Sequence, residues 1–298
     1  MSSTTNAASS VPAGLTPELM QWVQSQSAAG VPLPALLQSM RDVGWRENLA
    51  RRALGLPEEG ELPPPFTAAA RPHGATASQA GSVPEPGLQG DPCCIQVDGH
   101  EVHVLMSLHN PRIVVFGNLL TAQECEAIIE AARPRMQRSL TVDNLSGGEA
   151  VNDDRTSNGM FFQRGENEVV RRLEERIARL LNWPVENGEG LQVLHYRPGA
   201  EYKPHHDYFA PNEPGTPSIL KRGGQRVGTL VMYLNEPARG GGTTFPEVPL
   251  QVMPRRGNAV FFSYDRPDPA TRTLHGGAPV LEGEKWIATK WLREREFR

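Results

Sequence analysis

Two stretches, YKPHHD at residues 202–207 and TLHGGAPVLEGEKWIATKWLR at residues 273–293, decide the fold of this 298-residue chain. The first contains His205 and Asp207 in an H-x-D pair, and His275 follows 68 residues after Asp207. Residues i and i+2 of a β-strand point to the same face, so an imidazole and a carboxylate lie side by side. Two histidines and one carboxylate leave three coordination positions open, which suits non-haem Fe(II) in oxygenases. An exposed polar strand end is the alternative interpretation of an isolated H-x-D pair.

The segment that follows His275 makes the metal interpretation more specific. A glycine-bearing break and then an aromatic and β-branched run predict a β-hairpin. On its returning strand Lys285, Thr289 and Trp291 share one face. A lysine that faces inward on an otherwise apolar wall needs an anionic partner. A dicarboxylate co-substrate bound to the metal would supply that anion.

Further motifs lie between about Pro111 and Arg293, and they follow one another in the same order as in a known protein family. They are His195-Tyr196 with Gly199, Tyr202, Pro204, His205 and Asp207; Gly224-Gln225-Arg226-Val227; Met232-Tyr233-Leu234-Asn235; Gly241-Gly242-Thr243-Thr244-Phe245-Pro246; and the block from His275 to Trp291. In these motifs the chain resembles the prolyl 4-hydroxylase branch of the 2-oxoglutarate and Fe(II)-dependent dioxygenases. Related nucleic-acid demethylases usually carry an arginine in place of Lys285, so the lysine favours the prolyl hydroxylase branch.

The resemblance implies a fold that is mainly β with flanking helices. This is a double-stranded β-helix, or jelly roll, in which two antiparallel sheets face each other and helices pack outside. The resemblance also implies Fe(II) held by His205, Asp207 and His275. It implies 2-oxoglutarate and O2 as co-substrates and ascorbate as a further cofactor. His206 lies between two of the ligands and points away from the metal by strand parity.

The same resemblance assigns the other site residues. Lys285 would pair with the distal carboxylate of 2-oxoglutarate, and Tyr196 would donate to the same group. Thr243 and Trp291 match further positions of the co-substrate pocket. Tyr202 and Arg226 resemble positions that contact the substrate proline. Without the resemblance, tyrosine and tryptophan on strands predict packing, and Arg226 could be a rim residue paired with an acid.

Composition restricts the classes of partner and compartment. The formal net charge is −4, which gives no broad basic field for nucleic acid or a membrane surface. Three cysteines, Cys93, Cys94 and Cys125, make a disulfide framework improbable and favour a reducing compartment. Residues 1–14 lack the features of a secretory signal, and no apolar run reaches membrane-spanning length. We therefore expect a cytoplasmic protein that binds neither nucleic acid nor membrane.

The first 92 residues predict an accessory module and a linker. Helices are predicted from Thr16-Pro17-Glu18, where a hydroxyl cap precedes a proline, from Pro34 to Met40, and from Trp45 to Leu54. Residues 1–56 would thus form a small helical module for stability or docking. Residues 57–92 contain 8 prolines and 5 glycines in 36 positions, which predicts a flexible linker.

Residues 93–298 predict the dioxygenase domain. Asp98-Gly99 between alternating apolar residues predicts a hairpin, and Thr121-Ala122-Gln123-Glu124 is a capping box that should start a helix ended by Pro134. Cys125 should lie in the core on that helix. An acid- and glycine-rich segment, Asp143 to Asp154, predicts a mobile loop that serves either as a lid or as a plain surface loop. Glu166 to Leu181 should be an amphipathic helix on the outside of a sheet.

The leading functional hypothesis is a 2-oxoglutarate-dependent dioxygenase of the procollagen-proline 4-dioxygenase type. It would hydroxylate proline in a peptide or protein and convert 2-oxoglutarate to succinate and CO2. One alternative is the same chemistry on a free amino acid or another side chain. A second alternative is a non-catalytic jelly-roll module, because two histidines and an aspartate also bind zinc.

Overall fold

Short helices near the N-terminus precede a much larger assembly of strands. The computed structural model describes residues 15, 17–28, 33–54, 56, 83–138, 140–142, 149–151 and 155–298. These residues divide between two units, 1–76 and 77–298. No helix in the described part of the chain is both long enough and apolar enough to cross a membrane.

The first unit contains the helices α1 (Pro17–Ala28), α2 (Leu33–Asp42) and α3 (Glu47–Ala53). They surround a small apolar core that includes Val23, Leu36, Met40 and Ala50. Gly44 ends the turn after α2 with φ +89°, a left-handed conformation that glycine adopts without strain. The three predicted helices are confirmed, although the predicted cap of the first lies outside the described residues.

The second unit is mainly β. Its strands are β1 (Cys94–Val97), β2 (His100–Leu108), β3 (Arg112–Gly117), β4 (Gln137–Arg138), β5 (Leu140–Val142), β6 (Glu149–Val151), β7 (Asn158–Phe162), β8 (Leu191–Tyr196), β9 (Tyr202–His205), β10 (Arg226–Tyr233), β11 (Arg239–Gly240), β12 (Thr243–Phe245), β13 (Leu250–Val252), β14 (Ala259–Ser263), β15 (His275–Gly277), β16 (Val280–Glu282) and β17 (Lys285–Arg293). Its helices are α4 (Ala122–Ala132), α5 (Glu168–Leu180) and α6 (Thr216–Leu220).

Two antiparallel sheets organise these strands. The major sheet has nine strands in the order β1-β2-β3-β14-β10-β17-β8-β7-β4, and the minor sheet has four in the order β13-β12-β15-β9. Side chains of the two sheets meet, since the ring of Phe245 in the minor sheet lies 5.3 Å from that of Phe262 in the major sheet. The predicted jelly roll with helices outside is therefore the fold of this unit.

The central strand β17 is buried on both faces. Trp286, Ala288 and Leu292 belong to the core beneath the helices, whereas the alternate residue Ile287 belongs to the core between the sheets. Strand parity thus sends odd-numbered side chains of β17 inward and even-numbered ones toward the helices.

Helices α4 and α5 cover the outer face of the major sheet. The predicted capping box of α4 is present. The Thr121 hydroxyl accepts from the Glu124 amide, and the Thr121 amide donates to the Glu124 carboxylate. Cys125 is fully buried, and burial raises the pKa of its thiol to about 11, which fits the predicted core role. Helix α5 buries Val170, Leu173, Ile177 and Leu180, as its amphipathic pattern predicted.

One predicted hairpin is confirmed and another is wrong. β1 and β2 are joined at Asp98 and Gly99, both with positive φ. The segment after His275 does not fold back as a hairpin, because β15 pairs with β9 and β12 whereas β17 pairs with β8 and β10. The chain changes sheets between the two strands, and a local turn pattern cannot distinguish this crossing from a hairpin.

The end of the predicted linker packs on the second unit. Val83 and Leu88 contact the core beneath the helices, and the Glu85 amide donates to the Leu181 carbonyl at 2.9 Å. Residues 57–82 lie outside the described residues, as do 143–148 and 152–154 of the predicted lid. Within that acid-rich segment β6 pairs with β5.

Candidate active site

A pocket opens between the two sheets. The major sheet lines it through β8, β10 and β17, and the minor sheet through β9, β12 and β15. The lining residues are Arg155, Leu194, Tyr196, Tyr202, His205, Asp207, Val231, Thr243, His275, Gly276, Gly277, Lys285, Ile287, Thr289 and Trp291.

The three predicted metal ligands come together at this pocket. One ligand atom from each of His205, Asp207 and His275 lies within 4.8 Å of the other two. The Nε2 atoms of His205 and His275 are each 3.5 Å from a different carboxylate oxygen of Asp207. Pairing of β9 with β15 sets His205 directly opposite His275. Asp207 lies two residues beyond the end of β9, so it is presented by the bend after the strand and not, as predicted, by the strand itself.

Main-chain hydrogen bonds orient both imidazoles. His205 Nδ1 is 2.9 Å from the Lys203 carbonyl, and His275 Nδ1 is 3.0 Å from the Thr273 carbonyl. Because a carbonyl oxygen only accepts, Nδ1 carries the proton in each ring. The Nε2 atoms are therefore the ones that face Asp207 and the ones that a metal would use.

The electrostatics of the cluster favour ligand forms that bind a cation. Burial lowers the pKa of His275 to about 4, so its imidazole is neutral near pH 7. Burial alone would raise the pKa of Asp207, but His275, His205 and Arg226 outweigh it and hold that pKa well below its ordinary value. A buried carboxylate beside two imidazole nitrogens is a set of donors that a divalent cation can bind together. The donor set fits Fe(II).

Lys285 lies on the pocket side of β17 and is 1% exposed. Its Nζ donates to the Gly241 carbonyl at 2.8 Å and lies 4.4 Å from the centroid of the Tyr196 ring. It forms no ion pair with any carboxylate in the described residues. Burial lowers its pKa to about 8, which leaves a mostly protonated ammonium near neutral pH that lacks an anionic partner.

The other predicted co-substrate residues also line the pocket. Tyr196 on β8 pairs with Lys285 across the two strands. Thr243 is buried and its hydroxyl accepts from the Tyr233 phenol at 2.7 Å. Trp291 is buried, and its indole Nε1 has no hydrogen-bond partner among the described residues. An indole donor in this position is available to a ligand.

The two predicted substrate residues have different surroundings. Tyr202 is partly exposed and stacks on the His205 ring at 3.7 Å between centroids. Arg226 does not line the pocket: its guanidinium donates to both carboxylate oxygens of Glu189 at 2.7 and 2.9 Å and lies 3.9 Å from the Trp291 ring centroid. The alternative interpretation was that Arg226 is a rim residue paired with an acid. Glu189 is that acid, but the pair is buried and does not lie at the rim.

Sequence reasoning missed Arg155 and Glu189. The guanidinium of Arg155 lies over the Tyr202 ring at 4.9 Å and donates to Gln192 at 2.7 Å, at the edge of the pocket. Glu189 has arginine partners more than 30 positions along the chain, so no local pattern reveals it. His206, as predicted, is not part of the pocket lining and stacks on Tyr208.

Comparisons with known proteins agree with this arrangement. Residues 191–293 match the model of the 2OG-Fe(II) oxygenase superfamily. Prolyl 4-hydroxylase 5 of Arabidopsis thaliana is 44% identical over 209 residues, which cover 63% of this chain and 70% of that protein. Prolyl 4-hydroxylase 1 of the same plant is 43% identical over 205 residues, covering 62% and 70%.

A solved structure of the viral collagen prolyl hydroxylase vCPH from Paramecium Bursaria Chlorella virus-1, in complex with 2OG, aligns with a TM-score of 0.47. It is 30% identical and covers 61% of this chain and 95% of that chain. The extent of the sequence identity to the plant proteins decides the assignment. The chain belongs to the prolyl 4-hydroxylase family of 2-oxoglutarate- and Fe(II)-dependent dioxygenases.

Proposed function

We propose that this dioxygenase hydroxylates proline within a peptide or protein. The observation that carries the proposal is a single pocket that contains the histidine–aspartate cluster, a buried ammonium and an aromatic side chain that is partly open to solvent. Lys285 is 1% exposed, whereas Tyr202 and His205 are partly open to solvent. The buried ammonium suits a small dianion, and the part of the pocket that opens to solvent suits a larger substrate.

His205, Asp207 and His275 would hold Fe(II) through two Nε2 atoms and a carboxylate oxygen. Three protein ligands leave room for a co-substrate and dioxygen, where a structural metal would take a fourth protein ligand. Bound Fe(II) would supply the chemistry with O2 as the oxidant: one oxygen atom of O2 would enter succinate as 2-oxoglutarate loses CO2, and the other would be inserted into a C–H bond of the substrate. The residues of the chain bind, orient and shield these groups.

Lys285 would pair with the distal carboxylate of 2-oxoglutarate. A charge-assisted hydrogen bond to this ammonium is strong because the side chain is buried and has no carboxylate partner in the described residues. The phenol of Tyr196 and the hydroxyl of Thr243 would donate to the same end of the co-substrate. The apolar side chains of Leu194 and Ile287 line the pocket between them and exclude water.

Tyr202 is the proposed substrate contact, whereas Arg226, which does not line the pocket, would act on the site only through Trp291. Tyr202 stacks beside a metal ligand, and burial raises its pKa to about 12, so it remains a neutral phenol. Arg226 reinforces the wall formed by Trp291 through its position over the indole. A proline-rich substrate in polyproline II form suits this site because its extended conformation is already populated and little entropy is lost on binding.

Ascorbate as a further requirement, a cytoplasmic location and the absence of nucleic-acid or membrane partners complete the proposal. The net charge of −4 and three free cysteines, of which Cys93 and Cys94 are exposed, support the location and the absence of these partners, whereas ascorbate rests on the family resemblance.

The direct test is a set of proline-rich peptides incubated with Fe(II), 2-oxoglutarate and ascorbate. Mass spectrometry should find one added oxygen on proline, and a matched peptide with alanine in place of proline should gain none. Tyr202→Ala should reduce peptide oxidation much more than uncoupled succinate release. Oxygen on another residue type or on a free amino acid, with proline untouched, would contradict the substrate assignment and leave the metal site in place.

A further inference from the structure

Two buried hydroxyl groups form a chain of hydrogen bonds that ends at Asp207. Thr229 is on β10 and is 0% exposed, and Tyr264 follows β14 and is 2% exposed. Thr229 Oγ1 lies 2.7 Å from Asp207 Oδ2, and the Tyr264 hydroxyl lies 3.0 Å from Thr229 Oγ1. The three groups form a continuous line from the major sheet to the candidate metal ligand.

The direction of the hydrogen bonds in this line is determined by the ionised carboxylate. An ionised Asp207 only accepts, so the single hydroxyl proton of Thr229 is donated to Oδ2. Thr229 can then only accept from Tyr264, which must donate. Burial, reinforced by the charge of Asp207, raises the pKa of Tyr264 well above its ordinary value, so the phenol keeps its proton.

Both oxygens of Asp207 lie near the histidine pair, Oδ1 at 3.5 Å from His205 Nε2 and Oδ2 at 3.5 Å from His275 Nε2. A carboxylate can give a metal either one or two oxygens. With two, the protein would fill four positions of an octahedral ion and leave two. The co-substrate and dioxygen together need three.

We propose that Tyr264 and Thr229 are positioning residues that restrict Asp207 to single-oxygen coordination through Oδ1 by occupying Oδ2, and so keep a third position open. The inference rests on the proposed function, because it concerns the same metal and co-substrate. A short line of donors from a rigid strand suits this task, since partners of metal ligands determine how those ligands are presented.

The alternative is a purely structural role. The ring of Tyr264 lies 6.3 Å from Phe262 and 6.1 Å from Tyr208, so its apolar body contributes to packing. Substitutions that remove only the hydroxyls separate the two roles. Thr229→Val replaces the hydroxyl by a methyl group of similar size, Thr229→Ser keeps it, and Tyr264→Phe keeps the ring.

The test uses the full chain loaded anaerobically with Co(II). Its visible absorption reports coordination, and titration with azide of the protein that already holds Co(II) and 2-oxoglutarate reports whether a third position is free. In Thr229→Val we expect an altered Co(II) spectrum, a loss of azide affinity of about tenfold or more, and Co(II) and 2-oxoglutarate affinities within a few-fold of the original. Thr229→Ser should restore the original spectrum and affinity. Tyr264→Phe should change both in the same direction by less.

Thr229→Val and Tyr264→Phe proteins with the spectrum and azide affinity of the unsubstituted chain would overturn the inference. Equal losses of Co(II) and 2-oxoglutarate affinity in Thr229→Val, not restored by Thr229→Ser, would also overturn it, because they indicate general damage to the pocket. Failure of the proposed function is a separate result, namely that the unsubstituted chain binds neither Co(II) nor 2-oxoglutarate.

Discussion

Lys285 shows how a single buried side chain prepares the site for an anion. The chain keeps an ammonium in a place where burial lowers its pKa to about 8, and no carboxylate in the described residues pairs with it. Stability alone would favour an apolar side chain at such a position. The arrangement is therefore explained by a ligand that brings its own negative charge.

The binding of 2-oxoglutarate should depend on pH through this lysine. Below pH 8 the ammonium attracts the carboxylate, and above it the neutral amine does not. The dissociation constant should therefore rise as pH increases past about 8, by at most about tenfold per pH unit. Calorimetric titration of the Mn(II)-loaded protein measures this directly.

Lys285→Arg is the matched control for the pH experiment. A guanidinium stays charged throughout this range, so the rise above about pH 8 should disappear even if the absolute affinity is lower. The same rise in both proteins would show that another group causes the pH dependence.

At the residue scale, sequence spacing predicted the groups that act through their own chemistry. His205, Asp207, His275 and Lys285 all lie in one pocket, as their pattern and the family resemblance indicated. The partners of those groups were not predictable. Glu189 joins Arg226 across 37 positions and Thr229 joins Asp207 across 22, and such pairs depend on sheet topology that the sequence pattern does not specify.

Between elements, the close approach of β15 to β9 sets the distance between the two histidine ligands. A Cβ on Gly276 would lie 2.9 Å from the Tyr202 carbonyl oxygen and 3.1 Å from the Pro204 nitrogen, both of which are backbone atoms that cannot move aside. A Cβ on the neighbouring Gly277 would meet its nearest atom at 3.5 Å, an ordinary contact.

Gly276→Ala should therefore separate these strands and weaken metal binding, by about tenfold or more if one ligand is displaced. Gly277→Ala is the adjacent control and should keep its Co(II) affinity within a few-fold. Metal titration of the two variants side by side makes the comparison. Equal affinities would mean that the strands adjust to the added methyl group.

Helix α5 is attached to the back of β17 by a buried ion pair. Lys290 Nζ donates to Glu174 and to the Glu189 carbonyl, and both charged side chains are 2% exposed. The amphipathic pattern predicted the apolar face of this helix correctly but gave no reason to expect a charge on it. The partner of Glu174 is supplied by a strand more than 100 residues later.

Lys290→Met should lower the free energy of unfolding by about 3 to 5 kcal/mol, because it leaves Glu174 buried without a counter-charge. Pairing it with Glu174→Gln should recover part of that loss. The exposed pair of Arg171 and Glu175 is the control, and Arg171→Ala should change the free energy of unfolding by no more than about 0.5 kcal/mol. Urea denaturation measures all four proteins, and equal effects at the buried and exposed pairs would contradict this account.

Across the whole molecule, composition predicted that a helical module is followed by a catalytic unit. It did not predict the residue at which the catalytic unit begins. The Pro- and Gly-rich stretch suggested that the second unit begins at Cys93. Residues 83–92 instead lie along that unit, with Pro84 and Pro86 buried and Glu85 in an ion pair with Arg112. A Pro- and Gly-rich segment that packs against a folded unit can have the same composition as one that forms a free linker. Sequence alone therefore could not distinguish the two.

A chain of residues 77–298 should fold and keep 2-oxoglutarate turnover, since this unit contains both sheets, their two cores and the whole pocket. A chain of residues 93–298 should be less stable by about 2 to 4 kcal/mol, because it exposes the apolar surface under Val83, Pro84 and Leu88. Thermal unfolding of the two chains gives the difference, and succinate release gives the activity. Equal stability would mean that residues 83–92 contribute little to the fold. Loss of turnover in the 77–298 chain, with its unfolding still cooperative, would instead assign the helical unit a part in the chemistry.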